Sequence, residues 1–132
     1  ANHDLMVKER EMKVQKVADY IPELDVNGPE SGKLLVVGWG GTYGHLLSAV
    51  QEVRAEGVEV SFAHFDYIKP LPRNTENVFY KFDKILVCEL NSGQFVNYLR
   101  GVMPQFKYEQ CNKVQGQPFL VQEVVAAIKE NL

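Results

Sequence analysis

Apolar and polar positions recur along this chain in two periods. Leu34 to Val37 is a short unbroken apolar run, the pattern of a strand buried on both faces of a parallel sheet. Gly38, Gly40, Gly41 and Gly44 follow at once. Leu46, Val50 and Val53 then fall on one helical face, which Leu47 and Ala49 widen, and Gly57 supplies the stop. Val58 to Phe65 reads as a second strand with Val58, Val60 and Phe62 on one face, Lys84 to Glu89 as a third, and Phe106 to Cys111 as a fourth. Between them Thr75 is placed to cap a short helix ending around Phe82, and a helix bearing Phe95, Tyr98, Leu99 and Val102 is closed by Pro104. Val121, Val125, Ile128 and Leu132 make the apolar stripe of a last helix. Strands alternating with helices predict right-handed crossovers and a mostly parallel sheet with helices on both faces, a three-layer α/β/α domain.

The first 32 residues read differently. Asp4 to Tyr20 is rich in charge with Leu5, Met6, Met12, Val14 and Val17 interspersed, as in a helix on a surface or against something outside the chain. Residues 21–32 hold two prolines and two glycines and read as a linker. Residues 1–32 are therefore expected to be a leading helix and linker from a preceding domain, and residues 33–132 the compact domain. A start at Ala1, in a segment already helical in pattern, suggests a piece of a longer protein.

Composition narrows the function. A net charge of −3 without a basic block gives nucleic acid or an anionic membrane little to hold. No apolar run approaches the length that crosses a bilayer, and the polar N-terminus is no signal peptide, so a cytoplasmic protein is expected. Cys88 and Cys111 end predicted strands and read as reduced, packed thiols. Two cysteines fall short of the four thiolates of an iron–sulfur cluster, and His3, His45 and His64 lack metal-ligand spacing, so no metal is expected here.

The candidate chemistry lies in the loops after the strands. Residues 38–44, 66–72, 89–94 and 112–119 gather on the carboxyl edge of such a sheet, where open α/β domains place ligands or partner surfaces. They carry Gly38, Trp39, Gly40, Gly41, Thr42, Lys69, Glu89, Asn91, Gly93, Gln94, Asn112, Lys113, Gln115 and Gln117. Gly38-x-Gly40 resembles the start of a dinucleotide fingerprint, but Tyr43 stands where the third glycine belongs, and Gly44 comes one residue late. Asp66 ends the second strand, further on than the usual spacing of about 20 residues for a ribose-binding acid. The competing reading is a tight turn that needs positive φ. Glu89 is either a general acid/base or a carboxylate that ties down the next helix. Asn91 reads as a helix cap, the three glutamines as neutral hydrogen-bonders suited to an interface, and Lys113 as a solvated cation or an anion contact. Ser48 and Ser92 have no base or elbow motif nearby. The residues alone give an α/β domain with one polar, glycine-rich edge and no complete catalytic constellation.

At those same loops the chain resembles a known family. Leu35-Val-Val-Gly-Trp-Gly-Gly-Thr-Tyr-Gly44, Asp66-Tyr-Ile-Lys-Pro-Leu-Pro-Arg-Asn74, Glu89-Leu-Asn-Ser-Gly-Gln94 and Asn112-Lys-Val-Gln-Gly-Gln-Pro-Phe119 occur in order. Together they resemble the C-terminal part of 2-oxoacid:ferredoxin oxidoreductase alpha subunits, the 2-oxoglutarate type in particular. The resemblance covers nearly the whole chain and includes Asn2 to Met6 and Arg10 to Lys13. It implies a transketolase C-terminal-like fold: three layers around a mostly parallel five-stranded sheet with one antiparallel edge strand. It implies a parent enzyme that uses thiamine diphosphate and Mg²⁺, an iron–sulfur cluster and coenzyme A to turn 2-oxoglutarate into succinyl-CoA and reduced ferredoxin. The Gly-Asp-Gly motif that holds Mg²⁺ and diphosphate in thiamine enzymes is absent here. The implied role is assembly, with no cofactor bound by this chain and no turnover when it is isolated. Its loops would face the beta subunit and the other alpha-subunit domains, with Glu89, Asn91 and Gln94 as polar anchors. The rival readings are a dinucleotide-binding domain and the equivalent domain of a pyruvate- or branched-chain-type enzyme.

Overall fold

The computed structural model describes residues 20–90, 93–113 and 119–132; the expected leading helix lies outside them except for Tyr20. Among the described residues, β1 (Gly32–Trp39) leads through a 3-10 turn (Gly40–Thr42) into α1 (Tyr43–Ala55). Then come β2 (Ser61–Phe65), α2 (Thr75–Phe79), β3 (Phe82–Glu89), α3 (Gln94–Val102), β4 (Tyr108–Asn112) and α4 (Val121–Glu130). The strands form one parallel sheet in the order β2-β1-β3-β4.

Among the described residues the sheet has four strands, where five are expected. On the outer edge of β2 there is instead one antiparallel bridge, Asn27 to Phe62, with N–H···O distances of 2.7 and 3.0 Å. Pro29 follows two residues later and has no N–H to extend the pairing. Segment 20–31 is nevertheless packed: Ile21 and Leu24 are buried, and the Asn74 amide bonds both the N–H (2.7 Å) and the C=O (2.9 Å) of Leu24.

Alternation along the strands divides the core in two. Leu35, Val37, Phe65, Ile85 and Val87 meet Phe79 of α2 and Phe95, Val96 and Leu99 of α3. Leu34, Val36, Phe62, Leu86 and Cys88 meet Leu46, Val50 and Val53 of α1 and Val124, Val125 and Ile128 of α4. Burial on both faces is why the strands read as unbroken apolar runs.

Several boundaries differ from expectation. Val58–Val60 precede β2 rather than belonging to it, and the Val60 carbonyl accepts from Arg54 Nε at 2.9 Å. Phe106 lies before β4, edge-on to Phe79 and Tyr80. Thr75 is not a cap: its hydroxyl donates to the Pro72 carbonyl (2.6 Å), and the short helix ends before Phe82, which opens β3. Val102 and Leu132 are exposed, and Val96 and Val124 hold the core positions on their helices.

Candidate functional site

Helix α1, which follows β1, packs on one face of the sheet, and α3, which follows β3, packs on the other. The crossovers therefore diverge between the carboxyl ends of β1 and β3, the switch point where open α/β sheets leave a crevice for ligands. In this chain the crevice is filled from within. Trp39 ends β1, Glu89 ends β3, and the indole Nε1–H donates to Glu89 Oε1 at 3.2 Å. The same oxygen accepts the Phe95 N–H at 2.7 Å, while Oε2 accepts the Val96 N–H at 3.0 Å. Glu89 is fully buried, and both its oxygens are engaged. A negative group against the first turn of α3 satisfies amides with no intrahelical partner and suits the helix dipole. Of the two readings of Glu89, the carboxylate that ties down the next helix is the one the geometry shows.

The glycine turn is shaped by close approach and by one positive φ. A Cβ on Gly38 would lie 2.2 Å from Leu46 Cδ1 and 2.8 Å from Thr42 Oγ1, so only glycine lets α1 seat against β1 here. Gly40 has φ +67°, in the left-handed region that the tight-turn reading requires. Thr42 is buried, and its hydroxyl donates back to the Trp39 carbonyl at 3.1 Å. Trp39, Gly40, Gly41, Thr42 and Leu90 line a depression of about 160 Å³. Ligand sites usually enclose roughly 300–1,000 Å³. The Trp39 ring packs against that of Phe95, 6.1 Å between centroids. The dinucleotide reading is not favoured.

The structure thus brings Gly38–Thr42, Glu89 and the start of α3 together. Gly93, at φ +101°, turns the chain into α3, which begins at exposed Gln94. Lys113 joins the group through its backbone, its N–H bonding the Glu89 carbonyl at 3.0 Å. Its ammonium pairs with Glu123 of α4 at 2.7 Å. Lys69 stands apart, over the Tyr98 ring at 5.1 Å, in a loop whose Lys69–Pro70 peptide is cis. Asn91, Gln115 and Gln117 lie outside the described residues.

Sequence reasoning missed His64. Its Nε2 donates to the Gly40 carbonyl at 3.0 Å, which leaves Nδ1 facing Asp66 Oδ1 at 3.4 Å. That second contact is an ion pair only when the ring carries both protons. The signal was present: His64 and Asp66, two apart at a strand end, fall on one side of the chain. A hollow of about 460 Å³ opens there, lined by Asp25, Val26, Asn27, Tyr43, Phe62, His64 and Asp66.

Known proteins resemble this chain over nearly its whole length. The 2-oxoglutarate oxidoreductase subunit KorA of Mycobacterium tuberculosis is 36% identical over 99% of this chain. Over nearly its whole length the chain is homologous to 2-oxoacid:ferredoxin oxidoreductase alpha subunits. It spans about a fifth of the length of the curated relatives it matches. Among solved structures, the 2-oxoglutarate:ferredoxin oxidoreductase of Magnetococcus marinus, with 2-oxoglutarate, coenzyme A and succinyl-CoA bound, superposes with a TM-score of 0.88. It is 28% identical, over 99% of this chain and 23% of that one. A split-gene transketolase shares the fold alone, at TM-score 0.63 and 17% identity over 82% of this chain and 41% of that one. No family model matches the chain. The α/β, transketolase-like fold expected from the resemblance is the fold found.

Proposed function

We propose that the chain is the transketolase C-terminal-like domain of the alpha subunit of a thiamine-dependent 2-oxoglutarate:ferredoxin oxidoreductase. Residues 33–132 are the α/β domain, and residues 1–32 are the helix and linker leading into it. The parent enzyme converts 2-oxoglutarate, coenzyme A and oxidised ferredoxin into succinyl-CoA, CO₂ and reduced ferredoxin, and this domain assembles it without taking part in the chemistry. Its partners are the beta subunit and the other domains of the alpha subunit, and ferredoxin is met through the whole complex. The two relatives named for 2-oxoglutarate support that substrate over pyruvate or a branched-chain 2-oxoacid.

One observation carries the assembly reading: the crevice at the switch point is closed by the chain's own Trp39–Glu89 contact. Glu89 holds an edge in shape, and a carboxylate that accepts three hydrogen bonds is poorly placed to trade a proton with substrate. Nor do the residues fit a metal-bound cofactor. Among the described residues no group of three or more His, Cys, Asp or Glu could hold a metal ion, and two cysteines are half of a cluster's thiolates. Thiamine diphosphate, Mg²⁺ and the iron–sulfur cluster are therefore assigned to the rest of the complex.

Co-expression of the full-length alpha subunit with its beta subunit tests this, comparing wild type with Trp39→Ala and Glu89→Gln. The expected result is weakened assembly on gel filtration. Ferredoxin reduction should fall in proportion, with an unchanged KM for 2-oxoglutarate in the assembled fraction. Intact assembly with an altered KM would make this edge a ligand site. Saturable NAD(H) or NADP(H) binding that is lost on substituting Gly38 or Gly40 would revive the dinucleotide domain.

A further inference from the structure

Cys88 of β3 and Cys111 of β4 are register partners on neighbouring parallel strands. Both lie on the sheet face covered by α1 and α4, Cys88 fully buried and Cys111 half-buried. Neighbouring strands lie ~4.8 Å apart, inside the roughly 4.4–6.8 Å between Cα atoms that a disulfide bridges. The two sulfurs are therefore unequal in exposure.

We propose that this pair is a thiol-exchange site that takes a low-molecular-weight disulfide, with Cys111 as the attacking sulfur and Cys88 as the resolving one. The neighbouring Cys88 thiol holds the Cys111 thiol below its ordinary range, against burial and the nearby Glu123 and Glu130 carboxylates. Cys88 is pushed the other way by the Cys111 thiol beside it and by burial. The half-exposed thiol is thus the one with more thiolate. Its thiolate attacks one sulfur of the small disulfide, whose S–S bond breaks to release one small thiolate and leave a mixed disulfide on Cys111. The Cys88 proton passes to the departing thiolate, and the Cys88 sulfur attacks that of Cys111. The second small thiolate leaves, and an intrachain disulfide remains. Two protein thiols are oxidised and one small disulfide is reduced to two thiols, so the electrons balance. Cys88 precedes Glu89 in β3, and its side chain lies on the opposite face of the sheet.

The test uses the full-length protein with the subunits it is purified with, reduced and then incubated anaerobically with glutathione disulfide. Acid quenching, denaturation, alkylation and peptide mapping follow. The expected product is a Cys88–Cys111 linked peptide pair. Cys111→Ser should abolish modification of Cys88, and Cys88→Ala should leave a persistent glutathione adduct on Cys111. A Cys111 that stays fully alkylatable in the wild type would overturn the proposal. So would a wild-type Cys111 adduct that persists beside a free Cys88, or a Cys88 still modified in Cys111→Ser.

Discussion

The Trp39 indole and the Glu89 carboxylate meet at 3.2 Å across the switch point of the sheet, joining the end of β1 to the first turn of α3. Glu89→Gln keeps the size of the side chain but turns one acceptor into a donor, which must then face a backbone N–H. Leaving one buried amide unsatisfied costs about 1–3 kcal/mol. At this chain length each kcal/mol lowers Tm by roughly 3–6 °C. Glu89→Ala strands both amides and should cost more. Trp39 is the chain's one tryptophan, so its emission should shift to the red in both variants. An unchanged Tm with unchanged emission would mean that the contact contributes nothing.

The strands, their crossovers and the carboxyl edge were legible because burial on both faces writes itself as Leu34–Val37 and Ile85–Cys88. The bland reading of Glu89 was legible for a similar reason: a carboxylate followed by a glycine turn and a helix has an obvious partner. That the described sheet holds four strands and not five was not legible. Whether Val26 and Asn27 extend into a ladder depends on Pro29 and on where β2 presents its edge, a nonlocal fact. The pairing of Cys88 with Cys111 is a matter of register between strands 23 positions apart in the chain, which periodicity does not report. The partner of the Trp39 N–H could be named only once β1 and β3 were neighbours.

Gly38 and Gly44 should respond to alanine in opposite directions. At Gly38 the new methyl would meet Leu46 and Thr42, both buried, so neither can move aside freely. Overpacking of this kind costs about 1–3 kcal/mol. At Gly44, exposed in the first turn of α1, a Cβ meets nothing within 4 Å. There alanine should stabilise by up to about 0.5–1 kcal/mol through backbone entropy. Urea midpoints of the two variants measure this directly, and equal midpoints would contradict the packing at Gly38.

Asn74 should hold segment 20–31 on the domain. Its amide makes two hydrogen bonds to Leu24, whose side chain is buried in the core between β1 and α2. Asn74→Ala removes both and should destabilise by about 1–3 kcal/mol. The change should be local first: hydrogen exchange at Leu24 and Asn27 should accelerate while amides of β1 and β3 keep their protection. Acceleration spread evenly over the sheet would mean that the segment and the domain open together.

Tyr108 gives a test by pH. Its hydroxyl is buried and donates to the Met103 carbonyl at 2.8 Å, and burial pushes its pKa above the ordinary value despite the opposing Arg100. The unfolded tyrosine releases its proton around pH ~10. Between that value and the higher folded one, the native state holds a proton that the unfolded state has lost, so stability falls as pH rises. Below about pH 10 the contribution is complete, and Tyr108→Phe should be less stable than wild type by about 0.5–1.5 kcal/mol. Above it the gap should narrow, because phenylalanine does not titrate and the other groups are common to both proteins. Urea midpoints at about pH 8 and about pH 10.5 measure the gap on either side of the unfolded value. A gap that stays constant or widens would show that the Tyr108 hydroxyl is not held protonated by the fold.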